Sequence, residues 1–396
     1  GTSGSVIRPS VSGATWFIEA DELRCAASSA GQSTLRQSDG TVYLRVGKLT
    51  SASGYNVWWD SGDCRITCGA ISGLLSSVYH NHDEWSSGYL WITAESVEGQ
   101  LSTVGTASDP GSRMWINVGE LVSSSLQVEG GRVYVMANKL GNTSMLAPIV
   151  QLSKGQLWLN LQKLSANGAD SGFMQLSGGE SWIDIGYCEA GNTGFEDSGV
   201  TVSGGTHDVS IRSLIRTAAG EGINIAGGAL RFSGKIDTSA YSTKNPITKS
   251  GGTLTLDDVT LLAEGTRNAI EAPTAQTVFV TGTLSTNRPI DADVTLDYTG
   301  MKLGGTINGN TITTGTGTLT LSTFTLTATA TGNVVVQGGA LGTPASGTLT
   351  NATGLPVSTG ISGLGSGSAT ALAAGASAGG NGTLDSGKIA TFDPSG

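Results

Sequence analysis

Residues 114–137 read MWINVGELVSSSLQVEGGRVYVMA, and the two ends of this stretch carry one short pattern. Met114, Ile116 and Val118 alternate with Trp115 and Asn117, and Val133, Val135 and Ala137 alternate with Tyr134 and Met136. Side chains on a strand point to opposite faces with period 2, so each end is a strand with one apolar face. Between them lie a shorter alternating run, Leu126-Gln127-Val128, and then Gly130-Gly131, a pair suited to a sharp corner. One repeat is therefore strand, loop, short strand and glycine corner.

Outward from this stretch the pattern recurs from Trp16, Val42, Cys64, Leu90, Met114, Val133, Leu157, Ser181, Val209, Leu230, Leu254 and Val278, a mean spacing of about 24 residues. Its third position is apolar in every copy, from Ile18 and Leu44 through Ile116, Leu159, Ile183 and Ile211 to Val280. Its fourth is polar everywhere except at Met136. A repeat this short has little room for a crossover helix, so each strand must stack on its equivalent in the next coil. The sequence predicts an all-β chain: a right-handed parallel β-helix of about 12 coils over residues 10–298, then a Gly/Thr/Ser-rich fibrous or flexible segment over 299–396.

Composition narrows the function. Charged residues make up 13% of the chain, about half the usual share, and the net charge is −10. With no basic cluster, a nucleic-acid partner is not expected. No run of 18 apolar residues exists, so membrane insertion is not expected either. The chain starts at Gly1 without a methionine or a signal-peptide pattern, which reads as a fragment or processed product. Cys64 and Cys68 fall at positions one and five of one strand, about 13 Å apart and too far for a disulfide. With Cys25 and Cys188 they read as small core residues of a chain that folds in a reducing cytoplasm. No cofactor is expected.

Position two should face outward, yet it holds Phe17, Tyr43, Trp91, Trp115, Tyr134, Trp158, Trp182 and Phe279. At a strand spacing of about 4.8 Å these rings form a ladder on the outer surface, a larger apolar strip than a soluble monomer usually shows. A second copy of the chain, a carbohydrate or the chain's own loops could cover it, and all three stay open. Glu180 and Asp208 precede the first residue of two successive copies, which predicts carboxylates about 5 Å apart, the spacing of a retaining glycosidase pair. Asp184 and Arg212 share position four of the same copies and are predicted to form an ion pair. His80 and His82 are the candidates for a metal shared between three chains, although the sequence places them in a solvated loop. His207 reads as a turn residue.

Residues 338–365, GGALGTPASGTLTNATGLPVSTGISGLG, followed by SGSATALAAGASAGG, resemble a segment found in tail fibre and other tail-associated structural proteins of tailed bacteriophages. The resemblance covers about 40 residues, and the β-helix upstream is similar in architecture to phage tailspikes. It implies a homotrimeric virion appendage, synthesised in the bacterial cytoplasm, whose partners are other phage tail proteins and the host's surface polysaccharide or lipopolysaccharide. Some members cleave polysaccharide, but no catalytic motif of the family maps onto this chain. The resulting expectation is a structural tail protein acting in host attachment. The alternatives are a polysaccharide depolymerase and a bacterial β-helical surface adhesin.

Overall fold

A computed structural model describes residues 6–298 except residues 10, 27–31, 53, 83–87, 106–111, 123–124, 143–147, 167–171, 191–197, 217–219 and 241–242. The segment 299–396 lies outside the described residues. Among the described residues every regular element is a strand and every pairing between strands is parallel. The chain is a parallel β-solenoid.

The first coils set the plan with β1 (Thr15–Cys25), β2 (Ser33–Gln37), β3 (Thr41–Ser51), β4 (Tyr55–Trp59) and β5 (Asp63–His82). β1 pairs with β3 and β3 with β5, while β2 pairs with β4 and β4 with the far end of β5. Two ladders result, one of long strands and one of short strands, joined by the corners. In the long ladder Trp16, Val42, Cys64, Leu90, Met114, Val133 and Leu157 stand in register. The short ladder aligns Leu126, Val150, Met174, Val200, Ile223, Ile247 and Ile270. Alternation then puts one face of each strand inside, and the third-position residues Leu44, Ile66, Ile92, Ile116, Val135, Leu159 and Leu256 are all buried.

The solenoid makes about nine turns, fewer than the sequence pattern suggests. The pattern counts rungs of one ladder, and the rungs at the ends do not close full turns. At one end most of β1 is exposed; at the other the short ladder dwindles to Ile270–Glu271, and its neighbours are strands of three to five residues.

The glycine corners stack on one another. Gly179 (φ 71°) and Gly205 (φ 79°) both occupy left-handed conformations, and a Cβ built on Gly205 would lie 2.5 Å from the Gly179 carbonyl oxygen. Polar residues at the ends of short strands tie down the same corners. Gln37 Nε2 donates to the Gly40 carbonyl at 2.9 Å, Trp59 Nε1 to that of Gly62 at 3.0 Å and buried Lys249 Nζ to that of Gly252 at 2.9 Å. In each case the donor precedes the glycine by three residues, so one device recurs in distant coils. It adds a side-chain donor to corner carbonyls, of which those of Gly40 and Gly62 also accept the backbone N–H of Asp63 and Tyr89 in the next rung.

One copy of the repeat is shifted relative to the sequence reading. Ser181 pairs with His207, Ile183 with Val209 and Ile185 with Ile211, so His207, not Val209, holds position one of that coil. His207 is a core residue and not a turn residue: it is buried, and Ser181 Oγ lies 3.0 Å from its Nδ1 while its Nε2 lies 2.7 Å from the Gly204 carbonyl oxygen. A carbonyl only accepts, so Nε2 carries the proton, Nδ1 accepts, and the Ser181 hydroxyl donates. The two polar first-position residues of the long ladder thus satisfy each other inside an apolar column. The shift also separates Asp184 from Arg212, because Asp184 faces Ser210.

Burial pushes the His207 imidazole below its ordinary value of 6.5, against a smaller opposing effect of its hydrogen bond to Gly204. The unfolded chain therefore takes up a proton that the folded one refuses. Stability should be flat above the unfolded value and fall, by on the order of 1 kcal/mol per pH unit, as pH drops through it toward the lower folded value. Urea midpoints at pH 7.5 and 5.5 test this: the Ser181→Ala/His207→Leu double variant should lose most of the difference seen in the parent. An undiminished difference would place the titration elsewhere.

Candidate functional site

Position two of the long strands forms a continuous outward column. Phe17 and Tyr43 stack with ring centroids 5.0 Å apart and planes 7° from parallel. Trp91 on Trp115, Trp115 on Tyr134, Tyr134 on Trp158 and Trp158 on Trp182 follow at 5.1, 5.1, 4.3 and 4.6 Å, each within 11° of parallel. Between the two stacks stands Arg65, its guanidinium 5.7 Å from the Tyr43 ring centroid and 4.6 Å from that of Trp91. A cation between two π faces continues the column where a ring is missing. Tyr89 adds a flanking ring 5.1 Å from Trp91. In-register strands about 4.8 Å apart impose this spacing, and identical side-chain positions impose the common tilt.

Stacking changes what the column presents. Inside the ladder each ring face is covered by its neighbours, so Trp91, Trp115, Tyr134 and Trp158 are only partly exposed. Phe17, 78% exposed, sits at the N-terminal end of the stack, while Trp182, 41% exposed, closes the other end against Asp208 in the next rung. The column therefore offers a strip of ring edges along most of its length. Phe279 is separated from it by Asp208, Arg231 and Thr255, which hold position two in the intervening coils.

Beyond Trp182 the column turns ionic. Arg231 Nη1 lies 3.4 Å from Asp208 Oδ2, and Arg231 Nη2 pairs with Asp257, whose Oδ1 accepts from Thr281 Oγ1 at 3.2 Å. These groups are substantially exposed, so the charges hold one another in place more than they stabilise the fold.

The register separates Glu180 and Asp208. Glu180 faces Thr206 and accepts from Gln156 Nε2 at 2.8 Å, while Asp208 faces Trp182 and lies beside Arg231. Two residues along the strand and one rung across, their backbones stand about 8 Å apart instead of the roughly 5 Å of directly facing positions. His80 and His82 fall at the end of β5, paired with Thr103 and Gly105, rather than in a loop; their side chains lie outside the described residues. Among the described residues no cluster of three or more metal-ligating side chains forms. Cys25, Cys64, Cys68 and Cys188 are free and buried, and burial pushes the thiols of Cys64, Cys68 and Cys188 far above their ordinary value, which keeps them unreactive.

A second ring cluster, absent from the sequence reading, lies on the outer face of the short ladder. Trp58 packs edge-on against Tyr55 and Tyr79, both at 4.9 Å, with Arg36 4.5 Å above its ring and Asp60 accepting from its Nε1 at 2.7 Å. The middle positions of the short strands carried this signal. Comparison of the chain with protein-family models, curated proteins and solved structures yields no match.

Proposed function

We propose that this chain is a structural protein of a phage tail, a fibre or tailspike-like appendage acting in attachment to the bacterial surface. The observation that supports it best is the continuous outward column running from Phe17 to Trp182, an elongated edge strip in place of a cleft closed around one small ligand. The resemblance of residues 338–365 to tail-associated segments points to the same class. In this reading the solenoid is right-handed, the chain works as a homotrimer in the virion, and surface polysaccharide or lipopolysaccharide is the ligand. Ring edges and the Asp208–Arg231–Asp257 charges would meet sugar C–H and hydroxyl groups side-on.

The test has two parts. Light scattering at micromolar concentration should give three times the chain mass; a monomer contradicts the trimer. Host polysaccharide should be retained on the immobilised protein and keep its chain length, with retention lowered several-fold by Trp115→Ser/Trp158→Ser. Shortening of the polysaccharide that stops in Glu180→Gln or Asp208→Asn would replace this reading with a depolymerase. Undiminished retention by Trp115→Ser/Trp158→Ser would leave the column without a role in binding.

A further inference from the structure

The face that carries the ring column changes charge along its length. In four consecutive rungs of the long ladder, those of Leu90, Met114, Val133 and Leu157, the position just before the first reads Tyr89, Arg113, Arg132 and Gln156. Position two holds a ring in each of these rungs, and position four is uncharged throughout. This stretch of the face therefore presents two arginines and no carboxylate, in a chain with 31 acidic against 21 basic residues. Carboxylates return at the same position only in the flanking rungs, as Asp63 and Glu180, and Glu180 is already held by Gln156.

Arg113 and Arg132 face each other in register, their backbones about 4.8 Å apart. Like charges directly opposite destabilise a sheet, and an anion between them removes that penalty. Arg113 is half-buried, with its guanidinium 5.9 Å from the Tyr89 ring centroid. Among the described residues its side chain makes no hydrogen bond or ion pair, and its Nε is buried without a partner. Tyr89 joins it to the column, 5.1 Å from Trp91 and 5.7 Å from Trp115, while the Arg65 guanidinium stands 4.6 Å from the Trp91 ring centroid. We propose, on the reading of the ring column as a glycan-binding strip, that this stretch is an anion subsite and that the glycan is acidic. Its carboxylate or phosphate is seated against Arg113 and Arg132 while its sugars lie along Trp91, Trp115 and Trp158.

A planar guanidinium offers forked donors that match two oxygens of an oxyanion, and two guanidiniums in register can hold one oxyanion between them. The stacked rings act in the same direction, since the edge of an aromatic ring carries the positive end of its quadrupole and the column presents edges. A nucleic acid fits less well. Its affinity grows with the number of cations that meet its phosphates, and two or three arginines on a chain of net charge −10 are too few. They suit a polymer whose acid groups are spaced out among hydroxyls.

The experiment applies the labelled whole chain to an array of purified bacterial polysaccharides of known composition, some neutral, some bearing uronic acids and some bearing phosphate. Retention should be confined to the acidic glycans. Reducing the uronic carboxyls to alcohols, or removing the phosphates, should abolish it, and whichever treatment does so identifies the oxyanion that is seated. Arg113→Gln/Arg132→Gln should weaken retention at least tenfold and the milder Arg113→Gln at least threefold, with circular dichroism melts reporting that each variant is folded. Equal retention of neutral and acidic glycans, unchanged in these variants and lost in Trp115→Ser/Trp158→Ser, overturns the acidic subsite and leaves the strip a glycan binder. Retention of no glycan overturns the strip itself and the subsite with it. Tighter binding of a single-stranded oligonucleotide than of any glycan would assign the arginines to a different polyanion and overturn the proposal as well.

Discussion

Ile116→Asp and Leu159→Asp should each abolish folding, while Asn117→Asp should leave the melting temperature within a degree or two of the parent. Ile116 and Leu159 are 2% exposed and stacked between aliphatic residues of the adjacent coils, so a carboxylate there has neither water nor a partner. Burying such a group costs several kcal/mol even when it protonates, a large fraction of the stability of most domains. Asn117 lies one residue along the same strand, exposed on the opposite face. Soluble expression and a far-ultraviolet dichroism melt decide the matter. Equal tolerance at the two positions would mean that the inside and outside of the strand are not those described.

Gly205→Val should lower stability by more than about 3 kcal/mol, because two penalties coincide. Gly205 sits at φ 79°, which a β-branched residue adopts only under strain, and a Cβ there would lie 2.5 Å from the Gly179 oxygen and 2.8 Å from His207 Nε2. Gly13 separates the two effects. It has φ 72° with nothing within 4 Å of an added Cβ, so Gly13→Ala should cost only the conformational part, roughly 1–2 kcal/mol. Melting temperatures of the two variants should differ clearly; equal, small losses would mean that the corners do not stack.

The repeat was legible because the core column is chemically monotonous. Third-position residues, the glycine corners and the ring column follow from period-2 alternation and a spacing near 24 residues, with no long-range information needed. The reading slipped where the column is polar. In the sequence an apolar pattern fits Val209 better than His207, and only spatial pairing reveals that Ser181 and His207 satisfy each other. That slip of two residues carried with it the supposed Glu180–Asp208 and Asp184–Arg212 pairs. Arg65 was unremarkable in sequence, since its role depends on the rings above and below it. Face-to-face stacking covers ring faces inside the column, which a count of aromatic residues does not convey. His80 and His82 read as loop residues in the sequence because β5 continues through a stretch rich in polar residues.

The parallel, in-register stacking of the outward columns is the central claim, and paired cysteines test it directly. Adjacent rungs bring equivalent positions to about 5 Å, inside the Cα range a disulfide accepts, whereas a displacement of two residues adds more than 6 Å along the strand. Asp184 and Ser210 are equivalent positions on the outer face. Under mild oxidation Asp184→Cys/Ser210→Cys should close almost completely within the monomer, while Asp184→Cys/Arg212→Cys should remain reduced. The reverse outcome would restore Val209 to position one and contradict the register on which the column, the His207 pairing and the ionic end of the ladder all depend.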